Sequence, residues 1–198
     1  MKNNRHGQAA LITEFEYVKI RSKIEEPKYK LLLDIARFTG ERWGAIVQLR
    51  VEDIFDAAGN PLGEITFPSG IRKADTKGNR FTRQVPVHPV LREKLAAQRP
   101  NVLSGVKPGW MFESRIYPGT HITLRAADLI LRGAVELAGL THKGFSTHST
   151  RRTFITRLWE AGVDLHTIQL LTGHKDPKAL VRYIEADPNR ITKALALL

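Results

Sequence analysis

Apolar residues recur at helical spacing along most of this chain, with one interruption in the middle. Thr13 followed by Glu16 forms a capping box that opens a helix with a partial apolar face of Phe15, Val18 and Ile20. Pro27 breaks that pattern. Residues 28–39 then read as a second helix, with Leu31, Leu32, Ile35 and Phe38 on one side and Gly40 as its stop. A short helix over 41–49 follows. The middle of the chain changes period. Residues 56–63 are turn-rich, while 64–68, 71–75 and 81–87 alternate as strands, the last two flanking a turn at Thr76-Lys77-Gly78-Asn79. Helical spacing returns over 89–98, 121–138, 147–161 and 165–172, with a Pro- and Gly-containing loop over 100–119. Gly139, Gly162 and Gly173 close three of these helices, and Asp164 caps the last of them. Asp176-Pro177 and Asp187-Pro188 each pair an N-cap with proline at the first helical position and open two final helices. The pattern predicts an α+β fold, mainly α, with a small three-stranded antiparallel sheet.

Composition narrows the chemistry. Lys and Arg number 31 against 20 Asp and Glu in 198 residues, a net charge of +11. A polyanionic partner follows from that excess, with nucleic acid ahead of a membrane surface. The basic residues are not evenly spread. Between residues 72 and 99 stand Arg72, Lys73, Lys77, Arg80, Arg83, Arg92, Lys94 and Arg99, with only Asp75 and Glu93 against them, a candidate phosphate-facing surface. The absence of cysteine removes disulfides, thiolate metal sites and cysteine nucleophiles. No apolar run nears the ~18 residues of a membrane span, and the polar N-terminus is not a signal peptide. A cytoplasmic, nucleoid-associated protein is expected.

Candidate chemistry concentrates late in the chain. His148 and Arg151 are three residues apart and share a helix face. Gly173-His174 follows a helix stop, and Tyr183 comes nine residues further on. Far upstream, Arg42 follows Gly40 near a helix start, and Lys77 occupies the hairpin tip. Two arginines, two histidines, a lysine and a tyrosine suit phosphoryl transfer. Guanidinium groups bind phosphate bidentately, a lysine can protonate a leaving oxygen, and a tyrosine oxygen can attack phosphorus. The histidines lack the acidic companions of a metal site. Taken singly, Tyr183 reads as an amphipathic-helix residue and Lys77 as a surface lysine.

The ordered set changes that reading. Thr39-Gly40-Glu41-Arg42, Gln48-Leu49-Arg50 with Asp53-Ile54, Thr76-Lys77-Gly78-Asn79, His148-Ser149-Thr150-Arg151, Leu171-Thr172-Gly173-His174 and Tyr183 resemble, in order and spacing, the tyrosine recombinase (phage integrase) family. The resemblance runs from about Phe15 to Leu198 and covers the catalytic domain of a typical member. It implies a DNA strand transferase acting in integration and recombination of mobile elements. Tyr183 would attack a DNA phosphate, forming a 3′-phosphotyrosyl link and releasing a 5′-hydroxyl. Arg42 and Arg151 would clamp that phosphate, and Lys77 would protonate the departing oxygen. His148 would assist proton transfer at the tyrosine, and His174 would donate a hydrogen bond to the phosphate. The covalent link conserves the phosphodiester energy, so the resemblance implies no metal, ATP or other cofactor. Arg72, Lys73, Arg80, Arg83 and Arg152 would track the DNA backbone.

The resemblance also implies partners and domain limits. Double-stranded DNA is the substrate, with a dimer to tetramer assembled on it and an accessory DNA-bending protein as an optional partner. The expected organisation is a flexible tail over 1–12, a catalytic domain over 13–186 and a C-terminal helix over 187–198. That helix packs on its own domain or docks on a neighbouring protomer. No N-terminal core-binding domain is expected. One departure stands out. Typical members carry Glu or Asp three residues after the first arginine, bracing the basic groups, and this chain has Ala45 there. Reduced activity is expected, unless another group fills the role. Thr172 stands where many members have leucine, with little consequence expected. Two further readings share the fold: a catalytically weak or inactive DNA-binding regulator, and a type IB topoisomerase-like or telomere-resolving enzyme.

Overall fold

The computed structural model of the chain describes residues 9–75, 77–99, 109–174, 178–181 and 196. Contacts divide the chain into two compact units, Met1–Phe154 and Ile155–Leu198.

In the first unit, helix α1 (Glu14–Lys23) starts at the expected capping box: Glu16 N donates to Thr13 Oγ1 at 3.2 Å, and Thr13 N donates to Glu16 Oε2 at 2.9 Å. Its buried face differs from the expected one. Tyr17 and Ile20 face the core, whereas Phe15 is 74% exposed and Val18 is exposed as well. Polar bonding sets this rotation. The Tyr17 hydroxyl donates to Asp34, and Arg21 grips the same carboxylate through Nε at 2.7 Å and Nη2 at 2.8 Å. Burial, with Asp34 alongside, raises the Tyr17 phenol and keeps it protonated. Residues 9–12, expected within a tail, are packed: Ala10 and Ile12 are buried, and Ile12 N donates to Thr153 Oγ1 at 2.9 Å. Residues 1–8 of that tail lie outside the described residues.

Helix α2 (Pro27–Thr39) begins at Pro27, which occupies the first turn, where a missing N–H costs nothing. It buries Leu31, Leu32, Leu33, Ile35 and Ala36 and ends at Gly40, whose φ of 61° makes the left-handed turn a C-cap requires. Helix α3 (Trp43–Ile46) follows and packs on α2.

Among the described residues the sheet has two strands, not three. Strand β1 (Glu64–Phe67) pairs antiparallel with β2 (Arg83–Pro86), with Ile65 opposite Val85 and Phe67 opposite Arg83. The segment expected as the middle strand spends its backbone groups locally. Ile71 N and Arg72 N bond back to Pro68 and Ser69 carbonyls in a 3-10 turn. Asp75 Oδ1 accepts from Lys77 N at 2.8 Å and from Asn79 N at 2.9 Å. Side-chain capping of this kind competes with ladder bonding.

Helix α4 (Pro89–Ala96) packs on α2 and buries Leu91 and Leu95. Of the expected loop over 100–119, residues 100–108 lie outside the described residues. The remainder is tied to the end of α3 by Met111 N donating to Leu49 O at 2.9 Å. Helix α5 (Leu124–Leu137) lies against α1 and α3. Helix α6 (Thr147–Glu160) runs from the first unit into the second.

The second unit contains α7 (Leu165–Thr172) and α8 (Lys178–Val181), and Ile155, Ile168 and Leu180 are buried. Asp164 caps α7 by accepting from Thr167 N at 2.9 Å, and Gly173 closes it at φ 66°. Asp176, Pro177, Tyr183 and the expected C-terminal helix from 187 lie outside the described residues, except for Ala196.

Candidate active site

The site in the first unit is built around one turn, Thr39-Gly40-Glu41-Arg42, between α2 and α3. Thr39 Oγ1 donates to Ile35 O at 2.7 Å and accepts from Glu41 N at 3.2 Å, which fixes the turn against the end of α2. Gly40 is required twice. Its φ is positive, and a side chain there would run into the ring of Phe154.

From this turn the Glu41 carboxylate points inward and is 1% exposed. Its Oε2 accepts from Arg83 Nη1 at 2.8 Å and from Arg72 Nε at 3.2 Å. Its Oε1 accepts from Arg42 N at 2.8 Å and stands 3.7 Å from Arg151 Nη1. Each arginine is also held by a backbone carbonyl: Arg151 Nη1 by Gly40 at 2.7 Å, Arg83 Nη2 by Thr39 at 2.8 Å and Arg72 Nη1 by Phe81 at 2.8 Å. Burial pushes the Glu41 carboxyl up, but Arg83, Arg151, the Arg42 N–H and Arg72 together outweigh it and hold it below the ordinary value. Burial pulls the Arg83 guanidinium down, with Arg72 and Arg42 adding to that and Glu41 opposing it. A guanidinium starts so far above neutrality that it stays charged.

A cavity of about 370 Å³ opens beside this cluster, and its lining includes Arg42, Ala45, Arg72, Lys73, Arg80, His148 and Arg151. Three expected catalytic residues, Arg42, His148 and Arg151, are thus brought together from the turn before α3 and from α6. Arg42 is half-buried, His148 is exposed on the first turn of α6, and Arg151 is 2% exposed. The two helices are joined beside the site by Trp43 Nε1 donating to Thr150 Oγ1 at 3.0 Å.

Lys77 is exposed at the hairpin tip and is not among the residues lining the cavity. Gly78, at φ 83°, supplies the turn beside it. His174 belongs to the second unit. It follows α7 and is half-buried, with Nδ1 2.6 Å from Thr172 Oγ1. That hydroxyl donates to Ile168 O at 2.7 Å. Tyr183 lies outside the described residues.

The expected phosphate track divides. Lys73 and Arg80 are exposed at the cavity. Arg72 and Arg83 are 8% and 6% exposed and are committed to Glu41, so they do not lie on an open surface. Arg152 is also buried, with Nη1 donating to Ala9 O at 2.6 Å, so this guanidinium pins the start of the chain. In each case a buried acceptor claims the charge because a guanidinium inside the fold must be hydrogen-bonded. Glu41 is the residue that spacing did not single out. Its one signal is an acid wedged between Gly40 and Arg42 in a strongly basic chain. Among the described residues, no group of three or more histidines and carboxylates gathers as a metal site. Nor is any helix among them long and apolar enough to cross a membrane.

An arginine-lined cavity on a mainly helical scaffold with a small antiparallel sheet is suited to receive an anion. The family model described as "Phage integrase family" matches residues 10–190, and the chain belongs to that family. It is similar to the tyrosine recombinase XerD of Rickettsia bellii, 27% identical over 186 residues, covering 91% of this chain and 59% of that protein. It is also similar to XerD of Mycobacterium leprae, 30% identical over 146 residues, covering 73% of this chain and 44% of that protein. The chain therefore spans roughly half the length of these curated relatives. Among solved structures, XerA recombinase superposes with a TM-score of 0.73 at 19% identity, covering 96% of this chain and 64% of that one. The catalytic domain of bacteriophage HP1 integrase superposes at 0.64 and 19% identity, covering 96% and 95%. These likenesses show the fold to be that of the tyrosine recombinase catalytic domain.

Proposed function

We propose that this chain carries out site-specific DNA cleavage and rejoining through a 3′-phosphotyrosyl intermediate. The observation that carries the reading is the cavity at which Arg42, His148 and Arg151 meet. The Tyr183 oxygen attacks the scissile phosphorus, its proton passing to His148, while the bond from phosphorus to the 5′-oxygen breaks. Lys77 supplies the proton to that oxygen. Arg42 and Arg151 neutralise the charge gathering on the non-bridging oxygens, where fixed guanidinium groups act most strongly. His174 adds a hydrogen bond to the same phosphate. Attack by the 5′-hydroxyl of a second strand reverses the sequence and frees the tyrosine.

The partners of this reading are duplex DNA and further copies of the chain assembled on it. The segment 13–186 is its catalytic domain. A complex of XerH, a site-specific recombinase, with its difH substrate has the same fold, with a TM-score of 0.70 at 22% identity.

The test begins with duplexes enriched from a random library by binding to this chain. These are rebuilt with a nick so that cleavage is trapped, incubated with the protein and run on a denaturing gel. A covalent protein–DNA band that disappears in Tyr183→Phe is expected. Tight binding without any such band overturns the reading in favour of a DNA-binding regulator.

A further inference from the structure

We propose that Glu41 is the positioning carboxylate of this active site and takes over the bracing that Ala45 cannot provide. The inference rests on the strand-transfer reading above. Ala45 presents only a methyl group to the cavity wall. The carboxylate arrives from the turn before α3 and is used on both edges. Oε1 faces the Arg42 backbone and Arg151, one of the two phosphate-clamping arginines. Oε2 faces Arg72 and Arg83, which belong to the segment and strand on either side of the Lys77 tip. A single side chain thereby ties the phosphate clamp to the arm that carries the proposed general acid.

The charge balance suits that role. One carboxylate stands against the guanidinium groups of Arg72, Arg83 and Arg151, so the cluster keeps a net charge of two positive units. It is held together by attraction yet still favours an arriving phosphate. Without Glu41, these charges would repel one another in a low-dielectric interior, and Arg151 would lose the carboxylate that stands 3.7 Å from its Nη1. Nη1 would keep its bond to Gly40 O. A clamp that can rotate away pays for its own ordering during each cleavage step, so the loss falls on the rate of chemistry more than on DNA affinity.

The experiment compares the wild type, Glu41→Gln and the double variant Glu41→Gln/Ala45→Glu. Three quantities are measured: thermal melting, affinity for the enriched duplex, and single-turnover formation of the covalent complex on the nicked form. Glu41→Gln is expected to bind the duplex within about threefold of wild type and to cleave at least tenfold more slowly. The double variant, which returns a carboxylate to the cavity wall, is expected to recover at least threefold of that loss. An unchanged cleavage rate in Glu41→Gln overturns the proposal. So does a double variant that melts like wild type yet cleaves no faster than the single one. If Glu41→Gln fails to fold, the double variant is read against wild type: a double variant that melts like wild type but forms no covalent complex overturns the proposal.

An arm independent of activity separates this inference from the function it rests on. Arginine Nε–Hε NMR signals are followed while inorganic phosphate is added. In the wild type the Arg151 signal is expected to move, and in Glu41→Gln it is expected to start displaced and respond less. Identical Arg151 behaviour in the two proteins overturns the proposal. If the wild type forms no covalent complex but the phosphate response still depends on Glu41, the strand-transfer reading has failed and the positioning role stands.

Discussion

The indole N–H of Trp43 donates to the hydroxyl of Thr150 across 107 positions of sequence, at 3.0 Å and inside the fold. Each partner is the immediate neighbour of an arginine proposed to clamp the phosphate, Arg42 or Arg151. The helix starts that carry these two arginines are therefore joined by a bond that neither arginine makes.

Removing that bond should loosen the clamp. Trp43→Phe leaves the Thr150 hydroxyl oxygen without its donor and is expected to cost about 1–3 kcal/mol. Chemical denaturation reads the stability change, and the covalent-complex assay should show slower cleavage. Loss of stability with undiminished cleavage would mean that the bond serves folding alone.

Gly40→Ala should be among the most damaging small substitutions in the first unit. It forces a side chain into a left-handed backbone and into the Phe154 ring. Backbone and steric costs together amount to about 2–4 kcal/mol. In a Phe154→Ala background the added cost of Gly40→Ala should shrink to the backbone part, about 1–2 kcal/mol, which a double-mutant cycle of thermal melts can measure.

Stability should fall in acid through Glu41. Its carboxyl sits lower in the folded chain than the ordinary 4.5, so between the folded and unfolded values the unfolded chain binds more protons. The stabilisation is fully present above pH 4.5 and drains away as pH falls through the folded value. Glu16, Asp56, Asp75 and Asp164 shift in the same direction and add to the slope. Denaturant midpoints measured across this range should show a shallower decline in Glu41→Gln. A parallel decline would assign the acid sensitivity to the other carboxylates.

Thr172 matters more than its place in the motif suggests. It is fully buried, donates to Ile168 O and stands 2.6 Å from His174 Nδ1, so it sets the orientation of that ring. If His174 ligates the phosphate as proposed, Thr172→Val is expected to slow covalent-complex formation about tenfold, within the range that misplacement of a reacting group costs. Circular dichroism should show α7 intact.

The basic residues should separate by assay. Lys73→Ala and Arg80→Ala, both at exposed positions, should weaken duplex binding and lower the slope of log affinity against log salt by about 1 each. Arg83→Ala should instead lower the melting temperature, because it strips a buried partner from Glu41. An Arg83→Ala protein with an unchanged melt and a reduced salt slope would return Arg83 to the DNA surface.

Local chemistry was legible in the chain. The Thr13 capping box, the Asp164 cap and the Gly40 and Gly173 stops all act within four residues of themselves, and each helix end lies where they put it. The middle strand was misread because alternation over 71–75 does not reveal that Asp75 will take the backbone N–H groups of its own turn. The apolar face of α1 was misread for a related reason. Phe15 and Val18 are as apolar as Ile20, but the buried Asp34 selects the face carrying Tyr17 and Arg21.

Sequence by itself determined the family, the order of the motifs and the caps that begin and end several described helices, since capping, periodicity and motif spacing are properties of short stretches. Tertiary structure alone decided which charges stay exposed and which are buried against Glu41. Arg72 and Arg83 meet Glu41 across 31 and 42 positions, and from the sequence they could not be told from Lys73 and Arg80. The physical reason is that a buried carboxylate must find cations wherever the fold brings them. The missing acid at Ala45 was therefore visible in the sequence, and its replacement by Glu41 only in the packed chain.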